Sequence, residues 1–220
     1  MLLYPLSGQA HYHLSPYSYC GSNPINCIDP TGEDIVVLNY TEGEHLAMLI
    51  QNKEGKWQYY SINGNNVYIS GSHSGGREFN DVAVGSWDSP QEFFHSSYNV
   101  RNDKSKDDKS MNHFGFSEGY RIPTTEDQDA TIRNSFSKTA LSEYNLINNN
   151  CATAVQKAMI EAGIPVSKPT FAPSFIPMPT PSGIIEIYNG HQMKCDVNIV
   201  PSSAFQSIMK WNPTGSYIRK

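Results

Sequence analysis

Asn148-Asn149-Asn150-Cys151-Ala152-Thr153-Ala154-Val155 is the stretch whose reading decides the fold. Asparagine side chains accept hydrogen bonds from the unpaired amides of a helix's first turn, so this run predicts a helix start. Cys151, Val155, Ala158, Met159 and Ala162 then recur at i, i+4, i+7, i+8 and i+11, the spacing of one inward face. Gly163 ends the helix and Pro165 prevents its resumption. Cys151 therefore belongs to the first turn. There the positive end of the helix dipole favours a thiolate, and such positions lower a thiol pKa from about 8.5 into the range of roughly 3.5–7.5. Free cysteine also serves as a small buried residue, so the nucleophilic reading needs a base nearby.

Seven histidines are available: His11, His13, His45, His73, His95, His113 and His191. His45 stands out by context. Ile35 to Tyr40 reads as a strand. His45 to Gln51, "HLAMLIQ", is apolar on both faces, as a central covered strand is. Asn52-Lys53-Glu54-Gly55 is a turn, and Lys56 to Ile62 completes a β-hairpin. His45 opens the buried strand on the face shared with Ala47 and Leu49, and the small residue at 47 leaves room for a helix. His73 and His95 sit in polar surroundings suited to solvation. An orienting partner for His45 comes from the next strand. Ser61 takes that place if the hairpin centres on Lys53 or Glu54, and Gln58 or Tyr60 if it centres between them. Ser61 is the expectation adopted.

Outward from these elements the chain alternates strands, turns and helices. Val67 to Ser70 reads as a short strand, residues 70–77 as a plain Gly-rich connection, and residues 101–110 as a solvated mixed-charge loop. Ser89 caps a short helix through Phe93, Phe94 and Tyr98. Gly119 to Ile122 reads as a strand. Thr124 or Thr125 caps a helix to about Leu141, with Ile132, Phe136 and Ala140 on one face. The Pro-rich segment 164–183 reads as extended chain wrapping the surface. Gly183–Tyr188 and Val197–Val200 are further strand candidates, and Ser202–Trp211 a last helix.

Composition bounds the function. The 220 residues suffice for one domain with a real core, or for one domain plus an appendage, and 17% charged residues with 11% aromatics mark a globular chain. A net charge of −5 without a basic cluster argues against a nucleic-acid partner. Cys20, Cys27, Cys151 and Cys195 match no zinc spacing, so neither metal nor cofactor is expected. Pro5 breaks the first apolar run, which lacks a basic start, so no signal peptide is read there. No apolar run approaches the ~20 residues of a membrane span.

Two resemblances add to this reading. Residues 1–33 are crowded with turn formers, and "LSPYSYCGSNPINCIDPTGED" resembles the end of an Rhs repeat-associated core, whose closing motif is NPxxxxDPxG; Asn23, Pro24, Asp29, Pro30 and Gly32 match it. In Rhs proteins a variable C-terminal toxin follows that motif. The resemblance thus implies a payload over residues 34–220, delivery by an Rhs-type secretion route after synthesis in the cytoplasm, and a cognate immunity protein. The family's aspartyl self-cleavage needs two DPxG elements; this chain has one, so cleavage is not carried over to Asp29.

The second resemblance spans roughly residues 34–165. A histidine heading a strand like "HLAMLI" and a later Asn-Cys at a helix start resemble the circularly permuted branch of the NlpC-like, papain-fold superfamily, which includes relatives of lecithin:retinol acyltransferase. His45, Asn150 and Cys151 match those places, while "KWQYYSI" lacks the second histidine usual in such acyltransferases. The implied fold is α+β, an antiparallel sheet packed on a cysteine-bearing helix. The implied activity is Cys–His hydrolysis of amide or ester bonds, in peptidoglycan or in lipid, by Cys151, His45 and Ser61. A non-catalytic module of the same fold and a nuclease-type payload are the alternatives.

Overall fold

Two consecutive apolar runs, 34–40 and 45–51, have no polar face, so both must lie in the interior of a sheet covered on both sides. The computed structural model, which describes residues 34–42, 44–63, 80–99, 115–180 and 183–220, places them there. The elements are β1 (Asp34–Tyr40), β2 (His45–Gln51), β3 (Trp57–Ser61), β4 (Asp81–Trp87), α1 (Pro90–His95), β5 (Glu118–Pro123), α2 (Glu126–Ala140), α3 (Cys151–Glu161), β6 (Thr170–Thr180), β7 (Gly183–Lys194), α4 (Pro201–Trp211) and β8 (Ser216–Arg219). Six strands form one sheet in the order β4-β3-β2-β1-β5-β8, every pair antiparallel. The chain is α+β.

The pleat divides the core in two. Ile35, Val37, Leu46, Met48 and Ile50 face α2, α3 and α4 and pack with Ile132, Phe136, Val155, Met159 and Ile208. Val36, Leu38, Ala47, Leu49 and Tyr59 face the other way, against Trp87, Phe93, Phe94 and Phe116. Aromatic geometry orders this second layer: Tyr59 stacks on Phe93 at 5.5 Å between centroids, and Trp87 meets Phe93 edge-on at 4.9 Å. At the sheet's other side Asp34 is held by the Arg121 guanidinium, whose Nε lies 2.8 Å from Asp34 Oδ2.

Local signals explain the helix ends. Thr125 and Gln128 form a capping box at the start of α2. Gly163, at φ 75°, takes the left-handed position after α3, and the amide of Ile164 closes on Met159 O at 2.8 Å.

The structure departs from the sequence reading in several places. β4 and β8 are additional strands. β4 lacks clean alternation because its pairing with β3 shifts register twice, and Ala83 and Gly85 adopt positive φ. β8 has four residues on the sheet edge, too short for a period to show. Residues 170–180 are not a surface wrap but pair with β7 in a separate two-stranded ribbon. Prolines are tolerated there because each strand of a two-stranded ribbon keeps an open edge, and Pro177 and Pro179 share one parity along it. Val197–Val200 is no strand. The expected strand at 67–70, the loops at 70–77 and 101–110, and the segment 1–33 lie outside the described residues. No described helix is long and apolar enough to cross a membrane.

Gly85 is the position where β4 needs glycine most. Its φ is 72°, and a Cβ there would overlap the Trp87 indole, which is itself fixed against Phe93. Gly85→Ala is therefore expected to lower unfolding free energy by about 1–3 kcal/mol in urea titration. An unchanged midpoint would show that the bulge relaxes freely.

Candidate active site

Helix α3 begins at Cys151 because Asn150 caps it from both directions. The Asn150 side chain accepts from Thr153 N at 2.8 Å, and Thr153 Oγ1 accepts from Asn150 N at 2.9 Å. The remaining amide hydrogens of Asn150 reach further: Nδ2 donates to Leu146 O at 2.7 Å and to Ile199 O at 3.1 Å. One side chain thus joins the turn before the helix, the helix start and the segment before α4. Gln156, one turn along and fully buried, repeats the tie, donating to Asn198 O at 2.7 Å and accepting from Asn198 N at 2.9 Å.

Cys151 is free of any disulfide and 6% exposed. The backbone amides of Leu46, Ala152 and Cys151 itself are near enough to its sulfur to favour the charged form. Leu46 directly follows His45, so the thiol rests against the first peptide units of β2. The expectation of a depressed thiol pKa is not met. Burial disfavours the charged thiolate and pushes the Cys151 thiol above its ordinary value; the three amides pull it back only in part. Tyr144, half-buried on the turn before α3, is also raised, first by burial and then by the negative charge that Cys151 would carry. That coupling places the phenol within electrostatic reach of the sulfur.

His45 lies 6% exposed at the head of β2, its ring 6.2 Å from that of Phe116. The expectation that Ala47 makes room for the cysteine helix is corrected here. Ala47 belongs to the aromatic layer, whereas α3 packs on the opposite face against Leu46, Met48 and Ile50. Only the first turn of α3 reaches the strand end where His45 stands, and the Leu46 amide marks the meeting point.

The hairpin register settles which residue of β3 adjoins the imidazole. Met48 pairs with Tyr60 and Leu49 with Tyr59. One further step sets Ser61 across from Ala47, diagonal to His45 on the same face. Nε2 of His45 and Oγ of Ser61 are 2.7 Å apart, and Ser61 is fully buried. Gln58 pairs with Ile50 at the far end of the strand, and Tyr60 turns to the other layer, against Phe136. His95 and His191 lie elsewhere: His95 Nδ1 donates to Gln91 O at 2.8 Å, and His191 Nδ1 contacts the Tyr188 hydroxyl at 2.9 Å. His11, His13, His73 and His113 fall outside the described residues.

Sequence reading missed the groups behind Ser61. Ser61 Oγ donates to Asn63 Oδ1 at 2.6 Å, and Asn63 Nδ2 donates to Asp81 Oδ2 at 2.8 Å. Asn80 joins them, accepting from Asn63 N at 2.8 Å and donating to Ala140 O at 3.0 Å. The only sequence signal for this group is the polar pair Asn80-Asp81 opening a strand that is itself irregular.

The raised thiol pKa carries a stability prediction. A thiol held protonated by the fold stabilises the native state fully below the unfolded thiol pKa, and that stability is lost as pH rises through the raised folded value. The stability difference between wild type and Cys151→Ser, measured by urea unfolding, should therefore shrink as pH rises from neutrality through and above the ordinary thiol value of about 8.5. A difference that stays constant or grows over that range would contradict a thiol raised by burial.

Compared with known proteins, the chain matches no family model, no curated protein and no solved structure.

Proposed function

We propose that the chain is a Cys–His hydrolase of the papain-like, permuted NlpC type, acting on amide or ester bonds as the payload of an Rhs-type effector. One observation carries the chemistry: the Cys151 sulfur lies against the amide of Leu46, the residue next to His45, whose Nε2 is engaged by buried Ser61. The Rhs role rests on the motif between Asn23 and Gly32, and with it comes a cognate immunity protein as partner.

The reaction follows from what each group can do. With Nε2 engaged by Ser61, Nδ1 of His45 takes the Cys151 proton. Burial keeps the thiol protonated at rest, so proton transfer accompanies attack rather than preceding it. The sulfur adds to the substrate carbonyl carbon, and the charge that develops on oxygen is met by the amides of Cys151 and Ala152, which leave the sulfur as its charge passes to the oxygen. His45 returns the proton to the departing amine or alcohol as the C–N or C–O bond breaks. Water then adds to the thioester, giving a proton to His45. Collapse expels the Cys151 sulfur, which recovers that proton, and the acid is released.

Between the two substrate classes, the surroundings favour an acyl chain. Leu146 and Ile199, the residues tied together by Asn150, are 73% and 49% exposed, and Ile147 is 64% exposed. Apolar side chains left in water beside the start of the cysteine helix suit a lipid tail better than a polar glycan peptide.

The test compares wild type with Cys151→Ala on phospholipid vesicles and on peptidoglycan sacculi. Wild type should release fatty acid, and the variant should lose at least ~10³-fold in turnover while keeping its melting temperature. Release of peptide or amide products from sacculi alone would move the substrate to peptidoglycan. Equal effects of the two proteins, in turnover or in growth arrest on expression, would end the hydrolase reading.

A further inference from the structure

The hydrogen bonds behind His45 run in a single direction, and that direction has a chemical meaning. A carboxylate only accepts, so Asp81 Oδ2 compels Asn63 to present Nδ2, at 2.8 Å. The Asn63 amide is thereby oriented, and its Oδ1 faces Ser61 as an acceptor. A serine hydroxyl has one hydrogen; Ser61 spends it on Asn63 Oδ1 at 2.6 Å. Toward His45, 2.7 Å away, Ser61 Oγ is left only as an acceptor, so Nε2 must carry the ring hydrogen. A neutral imidazole protonated at Nε2 has its lone pair on Nδ1, the nitrogen required as base.

We propose that Asn63 and Asp81 are positioning residues that fix the tautomer of His45 through Ser61. The proposal rests on the Cys–His reading for its purpose, although the hydrogen-bond order stands without it. Burial strengthens the two ends of the relay, with Asp81 4% and Ser61 0% exposed, while Asn63 between them is half-buried. The fold supplies it through β3 and β4, where Ser61 and Asp81 are register partners. Asn80, adjacent to Asp81, fixes the Asn63 backbone and is itself anchored to the end of α2 through Ala140 O. The irregular pairing of β3 with β4 thus serves to hold a carboxylate two hydrogen bonds behind the group that touches the imidazole.

Nitrogen chemical shifts of the His45 ring read the tautomer directly. The experiment uses the full chain labelled with ¹⁵N-histidine at a pH where neutral imidazole dominates, with His45 assigned by its absence in His45→Gln. Wild type should show the Nε2–H form alone. Asp81→Asn lets residue 81 donate, so Asn63 has two orientations and His45 should become a mixture of both tautomers. Asn63→Ala cuts the same chain and should give the same mixture. An Nδ1–H ring in wild type would overturn the proposal even if a variant failed to fold, as would either folded variant keeping a single Nε2–H form. Because the readout needs no substrate, loss of the hydrolase reading and loss of this one are separately visible.

Discussion

Asn150 is the constraint on which the site depends. Its oxygen caps α3 and its amide hydrogens hold the carbonyls of Leu146 and Ile199, so helix start, preceding turn and later segment share one anchor. A cap bond of this kind is worth about 1 kcal/mol in stability. Its positional value is larger. The first residue of a helix moves by about 1.5 Å and turns through about 100° if the start slips by one residue. Such a slip would carry Cys151 away from the Leu46 amide. The buried strand β2 supplies the other fixed surface, and between them the thiol has one place to be.

The opposing effects on that thiol explain its state. A helix start favours the thiolate, and three amides lie near the sulfur, yet the group is 6% exposed and burial prevails. A resting thiol is less open to oxidation than a thiolate. Under the proposed Cys–His chemistry the orientation of His45 becomes decisive, because a base would have to remove a proton that the environment holds. The hydrogen bonds from Asp81 through Asn63 and Ser61 to His45 lie within the same sheet.

Much of this was legible in the sequence because its signals are local. The helix cap at Asn150, the stop at Gly163 and the hairpin between β2 and β3 each depend on residues within a few positions. The face of β2 that receives α3 was not legible. A strand apolar on both sides carries no mark of which side meets a helix, so the small residue at Ala47 pointed to the wrong one. The sign of the thiol shift was hidden likewise, since a sequence shows the dipole but not the depth of burial. Asp81 was hidden because its partner, Ser61, lies on a strand it reaches through two register shifts. The ribbon was hidden by prolines that exclude a central strand but not one with an open edge.

Alkylation of Cys151 by iodoacetamide, followed by peptide mass spectrometry in wild type and His45→Ala, tests the central pairing without any substrate. If the imidazole draws the proton from the thiol, wild type reacts ~10²-fold faster near neutral pH. Equal rates in the two proteins would contradict the pairing.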